Sequence, residues 1–167
     1  MKTSTVDTRF GPFTAVVDDD GAVLASGWTA DVGLLLPLIH RSLRPTAAPA
    51  VSRDLGDVTR AVRAYHAGQL SAIEDVPVRQ YSDGSFLNAA WKALREVTPG
   101  SPVTYTELAA RTGNPAANRA AAQACARNSA ALFVPCHRVV RIGGSVGGFR
   151  WGPELKRQLL AHEQIVR

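Results

Sequence analysis

Apolar residues along this chain change their spacing about halfway, and the elements they predict change with them. Phe13-Thr14-Ala15-Val16-Val17 and Ala22-Val23-Leu24-Ala25-Ser26 flank an Asp-rich turn ending in Asp20-Gly21, which predicts a β-hairpin. Pro45 to Pro49 is a loop. Leu55, Val58, Val62 and Tyr65 recur at helical spacing, and Gly68 ends that helix. Val76-Pro77-Val78 predicts a short edge strand, because proline has no N–H for a central ladder. From about Gln80 to Gly84 the pattern breaks, and the second half of the chain is mainly helical. Phe86, Ala90, Trp91 and Leu94 form one apolar stripe. Thr104-Tyr105-Thr106-Glu107 matches a capping box opening a helix with Leu108 and Ala109. After the turn Arg111-Thr112-Gly113, Asn114-Pro115 supplies an N-cap and first-position proline for a helix running to about Arg127. Such a pair is a helix-turn-helix or an ordinary αα-hairpin. Pro153 starts a last helix whose Leu155, Leu159 and His162 share a face.

Charge sharpens this division. Residues 1–83 carry 8 Lys/Arg against 10 Asp/Glu (net −2), whereas residues 84–167 carry 11 against 4 (net +7). The second half has the electrostatics of a nucleic-acid binder, although an arginine-rich solvated surface gives the same count. The chain's 167 residues, 46% of them hydrophobic, suffice for one medium domain or two small ones. No apolar run approaches the roughly 20 residues of a membrane span, and Met1-Lys2-Thr3-Ser4-Thr5 lacks a signal-peptide core. A cytoplasmic protein with reduced thiols and no membrane partner is the expectation. Two cysteines and four scattered histidines make neither a disulfide framework nor a zinc site. Gly143-Gly144-Ser145-Val146-Gly147-Gly148 lacks the context of a phosphate-binding glycine loop.

The densest chemistry lies in Pro135-Cys136-His137-Arg138-Val139, on a stiff apolar run that starts at Leu132. Thiolate is the reactive form of cysteine, and a neighbouring histidine and arginines favour it. A lone cysteine is more often a buried structural residue; these neighbours reverse that expectation. Between Asn114 and Arg127 the second helix is nearly all alanine. That composition serves helix propensity and close packing, and also lets a helix approach a groove only about 6 Å wide. Arg119 stands among those alanines, able to enter the groove or the base stack.

Together these residues resemble the O6-alkylguanine-DNA alkyltransferases (methylated-DNA–protein-cysteine methyltransferases). The similarity rests on Asn128 eight residues before Cys136, on Pro135 to Val140, and on Gly148-Phe149-Arg150-Trp151-Gly152. Phe10-Gly11-Pro12-Phe13, Ala64 to Gly68, Val103-Thr104-Tyr105 and Gly113-Asn114-Pro115 extend it over nearly the whole chain. The resemblance implies an α+β fold: an N-terminal ribonuclease H-like α/β domain (1–83) and a C-terminal helical, winged-helix-like domain with the helix-turn-helix (84–167). It implies irreversible transfer of one alkyl group from O6 of guanine in double-stranded DNA to Cys136, with O4-methylthymine a further candidate. No cofactor or metal is needed, and the protein is expected to be a monomer without DNA.

The roles implied are specific. His137 and Glu163, linked to Cys136 through a water, support a thiolate, and Asn128 braces the turn. Tyr105 protonates the leaving guanine. Arg119 fills the place of the extruded nucleotide, with Ala120, Gln123 and Arg127 on the same DNA-binding helix. Cys125, Val139, Gly148, Phe149 and Arg150 surround the base. Adjacent side chains on an extended segment point apart, which favours the water over a direct Cys136–His137 pair. Trp91, Trp151 and Leu94 are expected in the core.

Some positions depart from the family pattern: Phe149 replaces a tyrosine, Asn118 a small apolar residue and Ala121 a valine, and Leu87-Asn88 stands near the usual Phe-Gln. No cysteine-rich zinc segment precedes the domain, so the two-function version that also activates transcription is not expected. The alternative is a non-catalytic alkyltransferase-like protein that binds alkylated DNA and recruits other repair factors, but such relatives typically replace the cysteine. A transcription regulator would need base-reading polar side chains where this helix has alanines. A Cys-His hydrolase normally draws its histidine from a distant part of the chain.

Overall fold

Lys2–Thr8 forms β1, a strand that hydropathy does not flag because its buried positions are Thr3, Ser4 and Val6. The Thr3 hydroxyl is satisfied by donating to the Ala15 carbonyl (3.0 Å). β1 pairs antiparallel with β2 (Gly11–Val17), Lys2 opposite Val17 and Thr8 opposite Gly11. β2 in turn pairs antiparallel with β3 (Val23–Gly27), the hairpin legible in the sequence, with a register shift at Val16/Val17. Asp18 shapes its turn by accepting from the amides of Asp20 (2.9 Å) and Ala22 (3.0 Å), and Gly21 takes φ +84°. β4 (Ala50–Val51) lies parallel to β1, giving the sheet order β3-β2-β1-β4. The computed structural model describes residues 1–165.

α1 (Asp57–His66) buries Val58, Val62 and Tyr65 as their spacing predicts, while Leu55 lies just before it. Gly68, at φ +106°, donates to the Tyr65 carbonyl (3.0 Å) and ends the helix. Val76-Pro77-Val78 is not a strand. It makes one parallel bridge, Val78 beside Val23, flanked by Val23 N–H to Pro77 O and Arg79 N–H to Val23 O (2.8 Å each). Pro77 has no N–H with which to extend the ladder.

Contacts divide the described chain into two compact units. The first is Met1–Tyr81 with Ser129–Phe133, and the second is Ser82–Asn128 with the chain from Val134 onward. Residues Ser129–Phe133 join the first unit through paired groups. Ser26 N–H donates to Ser129 O (2.8 Å), the Ser26 hydroxyl to Ala131 O (2.7 Å), and the Ser129 hydroxyl to Leu24 O (2.9 Å). The Phe133 ring meets Phe13 edge-on at 6.2 Å.

The second unit is helical. α2 (Ser85–Leu94) buries Leu87, Ala90, Trp91 and Leu94, so Leu87 takes the inward place expected of Phe86. α3 (Tyr105–Arg111) carries the capping box intact: Thr104 Oγ1 accepts from Glu107 N–H (3.1 Å), and a Glu107 carboxylate oxygen accepts from Thr104 N–H (2.7 Å). α4 spans Asn118–Ala126, starting later than Asn114-Pro115 predicts. The Asn114 side chain instead accepts from Ala116 N–H (3.2 Å), capping a separate turn, and Ala117 at ψ 43° interrupts the helical path. β5 (Val103–Thr104) pairs parallel with β6 (Val139–Val140), and α5 (Pro153–Ile165) closes the unit. Trp151 is only half-buried, unlike Trp91 and Leu94, which are in the core.

α4 lies against α2 with Ala121 and Ala124 fully buried, and the Trp91 indole N–H donates to the Ala124 carbonyl (2.8 Å). Replacing Trp91 by Phe keeps most of the ring but strands that buried carbonyl, so the variant is expected to lose about 1–3 kcal/mol of stability. Urea unfolding monitored by circular dichroism measures it; an unchanged midpoint would contradict the packing described.

Candidate active site

Pro135, at φ −82° and ψ 65°, turns the chain into a single 3-10 turn over Cys136–Arg138. The segment is therefore not extended, contrary to the expectation from sequence, and the side chains of Cys136 and His137 leave a tight turn. Cys136 N–H bonds to Val134 O (2.8 Å) and Arg138 N–H to Pro135 O (3.0 Å). Asn128, two residues past the end of α4, braces this turn. Its amide donates to Val134 O (2.7 Å), and its side chain also hydrogen-bonds the Cys136 sulfur.

His137, Arg138 and Glu163 meet in the interior, all three 2% exposed or less. His137 Nε2 lies 2.7 Å from Glu163 Oε1. Arg138 donates from Nε to both carboxylate oxygens (3.1 Å each), from Nη2 to Oε1 (2.9 Å), and from Nη1 to Val97 O (2.7 Å). Burial works against the Glu163 charge, but the hydrogen bond from His137 and the Arg138 guanidinium outweigh it and hold the carboxyl well below its ordinary range. An ionised carboxylate only accepts, so the shared proton belongs to His137 Nε2. Burial in turn lowers the His137 pKa despite the attraction of Glu163. The imidazole is thus neutral, and its buried Nδ1, which has no hydrogen-bond partner among the described residues, is a bare proton acceptor.

The thiol departs from expectation. Cys136 is buried, and burial pushes its pKa up, with Asn128 and Lys156 pulling in the opposite direction. In the free protein Cys136 is a protonated thiol beside a neutral histidine, not a standing thiolate, because desolvation outweighs the nearby positive charge.

Lys156 is the residue that sequence reasoning missed, together with Arg138. Its ammonium donates to Val139 O (2.6 Å) and Gly148 O (3.2 Å), joining two of the expected base-pocket segments, and lies 5.9 Å from the centre of the Tyr105 ring. The signal was present: Lys156, Leu159 and Glu163 lie at helical spacing on the apolar face of α5, where a charge must have a partner.

Tyr105, the first residue of α3, is half-buried. Burial, with Cys125 and Cys136 nearby, pushes its hydroxyl up to about 12. A Cβ on Gly147, which takes φ +72°, would stand 3.0 Å from that hydroxyl, so a side chain there would be strained and would press on Tyr105. The structure thus brings Cys136, His137, Glu163, Asn128, Tyr105, Cys125 and Val139 into one neighbourhood. Phe149 is half-buried and Gly148 exposed, while Arg150 donates to Ala126 O (2.5 Å), tying its loop to the last turn of α4. Arg119, Gln123 and Arg127 recur at i, i+4, i+8 along the exposed side of α4, with Ala120 half-buried beside them. No group of three or more His, Cys, Asp or Glu among the described residues could hold a metal ion, and no described helix is long and apolar enough to cross a membrane.

Residues 85–165 match the family model of the 6-O-methylguanine DNA methyltransferase DNA-binding domain. The chain is 30% identical to the methylated-DNA–protein-cysteine methyltransferase of Shigella flexneri over 95% of its own length and 92% of that protein's. It is 48% identical, over 47% of its length, to the bifunctional transcriptional activator/DNA repair enzyme Ada of Escherichia coli, of which it spans only 22%. The crystal structure of Mycobacterium tuberculosis OGT in complex with DNA superposes with a TM-score of 0.79 at 28% identity, covering 99% of this chain and 94% of that one. The chain belongs to the methylated-DNA–protein-cysteine methyltransferase family.

Both Glu163 and His137 bind a proton more readily in the unfolded chain than in this site. The stability they contribute is therefore complete above the ordinary histidine value of 6.5 and declines on acidification, first near that value and again near the ordinary carboxyl value of 4.5. Glu163→Gln leaves Arg138 buried without its counter-charge and is expected to cost about 3–5 kcal/mol at neutral pH while flattening the acid limb. Urea titrations from pH 8 to pH 4 check this; wild-type stability independent of pH over that range would contradict the charge states assigned.

Proposed function

We propose that this protein repairs DNA by direct reversal, taking the alkyl group from O6 of an alkylated guanine onto the sulfur of Cys136, once per molecule. The observation that carries the reading is a buried thiol next to a histidine whose Nε2–H is committed to Glu163 and whose Nδ1 is left to accept a proton. The substrate is double-stranded DNA containing O6-alkylguanine, acted on by a monomer in the cytoplasm, where the thiol stays reduced.

A base stacked inside a duplex is out of reach, so the nucleotide is extruded. Arg119, exposed on a helix of alanines, takes the vacated place, and Gln123 and Arg127 contact the flanking backbone. The base enters between Tyr105 and the strip formed by Val139 and Gly148 to Arg150. The Cys136 proton then passes through a water to His137 Nδ1. Glu163 stabilises the imidazolium that forms, which a buried histidine without that carboxylate would resist. The thiolate attacks the alkyl carbon: a C–S bond forms, the C–O6 bond breaks, and its electron pair remains with guanine. Tyr105 supplies a proton to a ring nitrogen of the leaving base and recovers one from the imidazolium through solvent. The thioether has no leaving group, so the protein does not turn over.

Because the resting thiol is protonated, adventitious electrophiles find little nucleophile. Reactivity appears when a substrate is in place, and this favours repair over the binding-only alternative, which has no use for a proton acceptor beside Cys136.

Incubating the protein with duplex DNA containing O6-methylguanine, then digesting it, is expected to yield one methyl group on the Cys136 peptide by mass spectrometry. Folded, DNA-bound protein with an unmodified peptide would favour binding and recruitment instead. Tyr105→Phe is expected to slow the single-turnover methylation rate about 100-fold, the lower end of what a positioned general acid contributes. A wild-type rate in that variant would remove Tyr105 from the chemistry.

A further inference from the structure

An open hollow of about 630 Å³ lies between the loop after β6 and the start of α5, with Arg141, Gly144, Ser145 and Gly147 on one side and Pro153 and Arg157 on the other. Its volume is within the roughly 300–1,000 Å³ of ligand sites, but its lining lacks their aromatic surface. The lining holds two arginines and no acid. Arg157 shares a solvent-exposed ion pair with Glu154 (3.2 Å), weak enough in water to be exchanged for another anion, and Arg141 has no ion-pair partner among the described residues.

The loop holds Arg141 in place. Arg141 N–H bonds to Ser145 O and Gly144 N–H to Arg141 O, 2.9 Å each. Gly143 and Gly144 take φ of +90° and +86°, which a side chain would resist. The Arg141 stem lies against Gly147: the point where a Cβ would stand there is 3.6 Å from Arg141 Cγ and 3.0 Å from the Tyr105 hydroxyl. Arg141 and Tyr105 therefore meet across one glycine, and the hollow adjoins the catalytic tyrosine.

We propose that this hollow receives a phosphodiester of the DNA strand that carries the alkylated nucleotide, with Arg141 its principal ligand and Arg157 the second. The inference rests on the alkyl-transfer reading above. Two guanidinium groups facing one wet hollow call for an anion, and their planar forks match phosphate oxygens. A base is a poorer fit, since nothing in the lining offers a ring on which it would stack. Gripping the phosphate there fixes the strand's register, so that the adjoining nucleotide is delivered to Tyr105 and Cys136. Neither arginine belongs to the helix-turn-helix, so the strand is held from a second side.

The test is a coupling measurement. Duplexes containing O6-methylguanine are made with one neutral methylphosphonate at each phosphate within two positions of the lesion. Their affinities are measured for wild type, Arg141→Gln and Arg157→Gln. At one position neutralisation is expected to weaken wild type about tenfold but Arg141→Gln no more than about twofold, and the salt slope of Arg141→Gln should fall by about 1. Equal losses for wild type and variant at every position, or an unchanged salt slope, would overturn the assignment. If wild type shows the coupling but never methylates Cys136, the repair reading fails and the phosphate site stands. Methylation with equal losses sinks the phosphate site alone.

Discussion

The buried carboxylate of Glu163 sets the charge state of everything around it. Isolated in the interior it would take up a proton, since burying a carboxylate costs several kcal/mol. Arg138 prevents that with three donated hydrogen bonds, and is itself satisfied by the Val97 carbonyl. The secured negative charge dictates the tautomer of His137, and the tautomer leaves the buried Nδ1 unprotonated and without a hydrogen-bond partner among the described residues. Sequence puts the three residues in two places: a tight turn after Pro135 and the last helix. Packing α5 against that turn is what makes them one network.

The Cys136 thiol is not held ionised in the free protein. Lowering a thiol pKa permanently would keep a soft nucleophile exposed to any electrophile. Here burial keeps the proton on sulfur while Asn128 and Lys156 moderate the cost of losing it. Lys156 has a second effect, since the same ammonium ties Val139 to Gly148 and so fixes the two segments to the charge near the sulfur. The same desolvation holds the proton on the Tyr105 hydroxyl.

Much of this was legible in the chain. The capping box at Thr104, the hairpin around Asp18 and the turn at Gly68 depend on local chemistry, and each appears where its residues stand. The motif around Cys136 also identified His137, Asn128 and Glu163, through resemblance more than through spacing. What was not legible depends on tertiary context. β1 has one buried apolar residue, and only pairing with β2 makes its threonines strand residues. Asn114-Pro115 looks like a helix start, but a local Asn114 cap closes a separate turn first. Lys156 was counted only among the basic residues, since composition does not say which charges are buried, and Arg138 was read as a charge favouring the thiolate, not as the partner of Glu163. The protonation state of Cys136 was misread for a related reason: proximity of positive residues is visible in sequence, and desolvation is not.

The most direct test of this account is the ¹⁵N chemical shift of the His137 ring in the free protein at pH 7, assigned by comparison with His137→Gln. A neutral imidazole with the proton on Nε2 and an unprotonated Nδ1 is the expected state. An imidazolium at that pH would mean that Cys136 and His137 rest as an ion pair, and the substrate-triggered ionisation described here would be wrong.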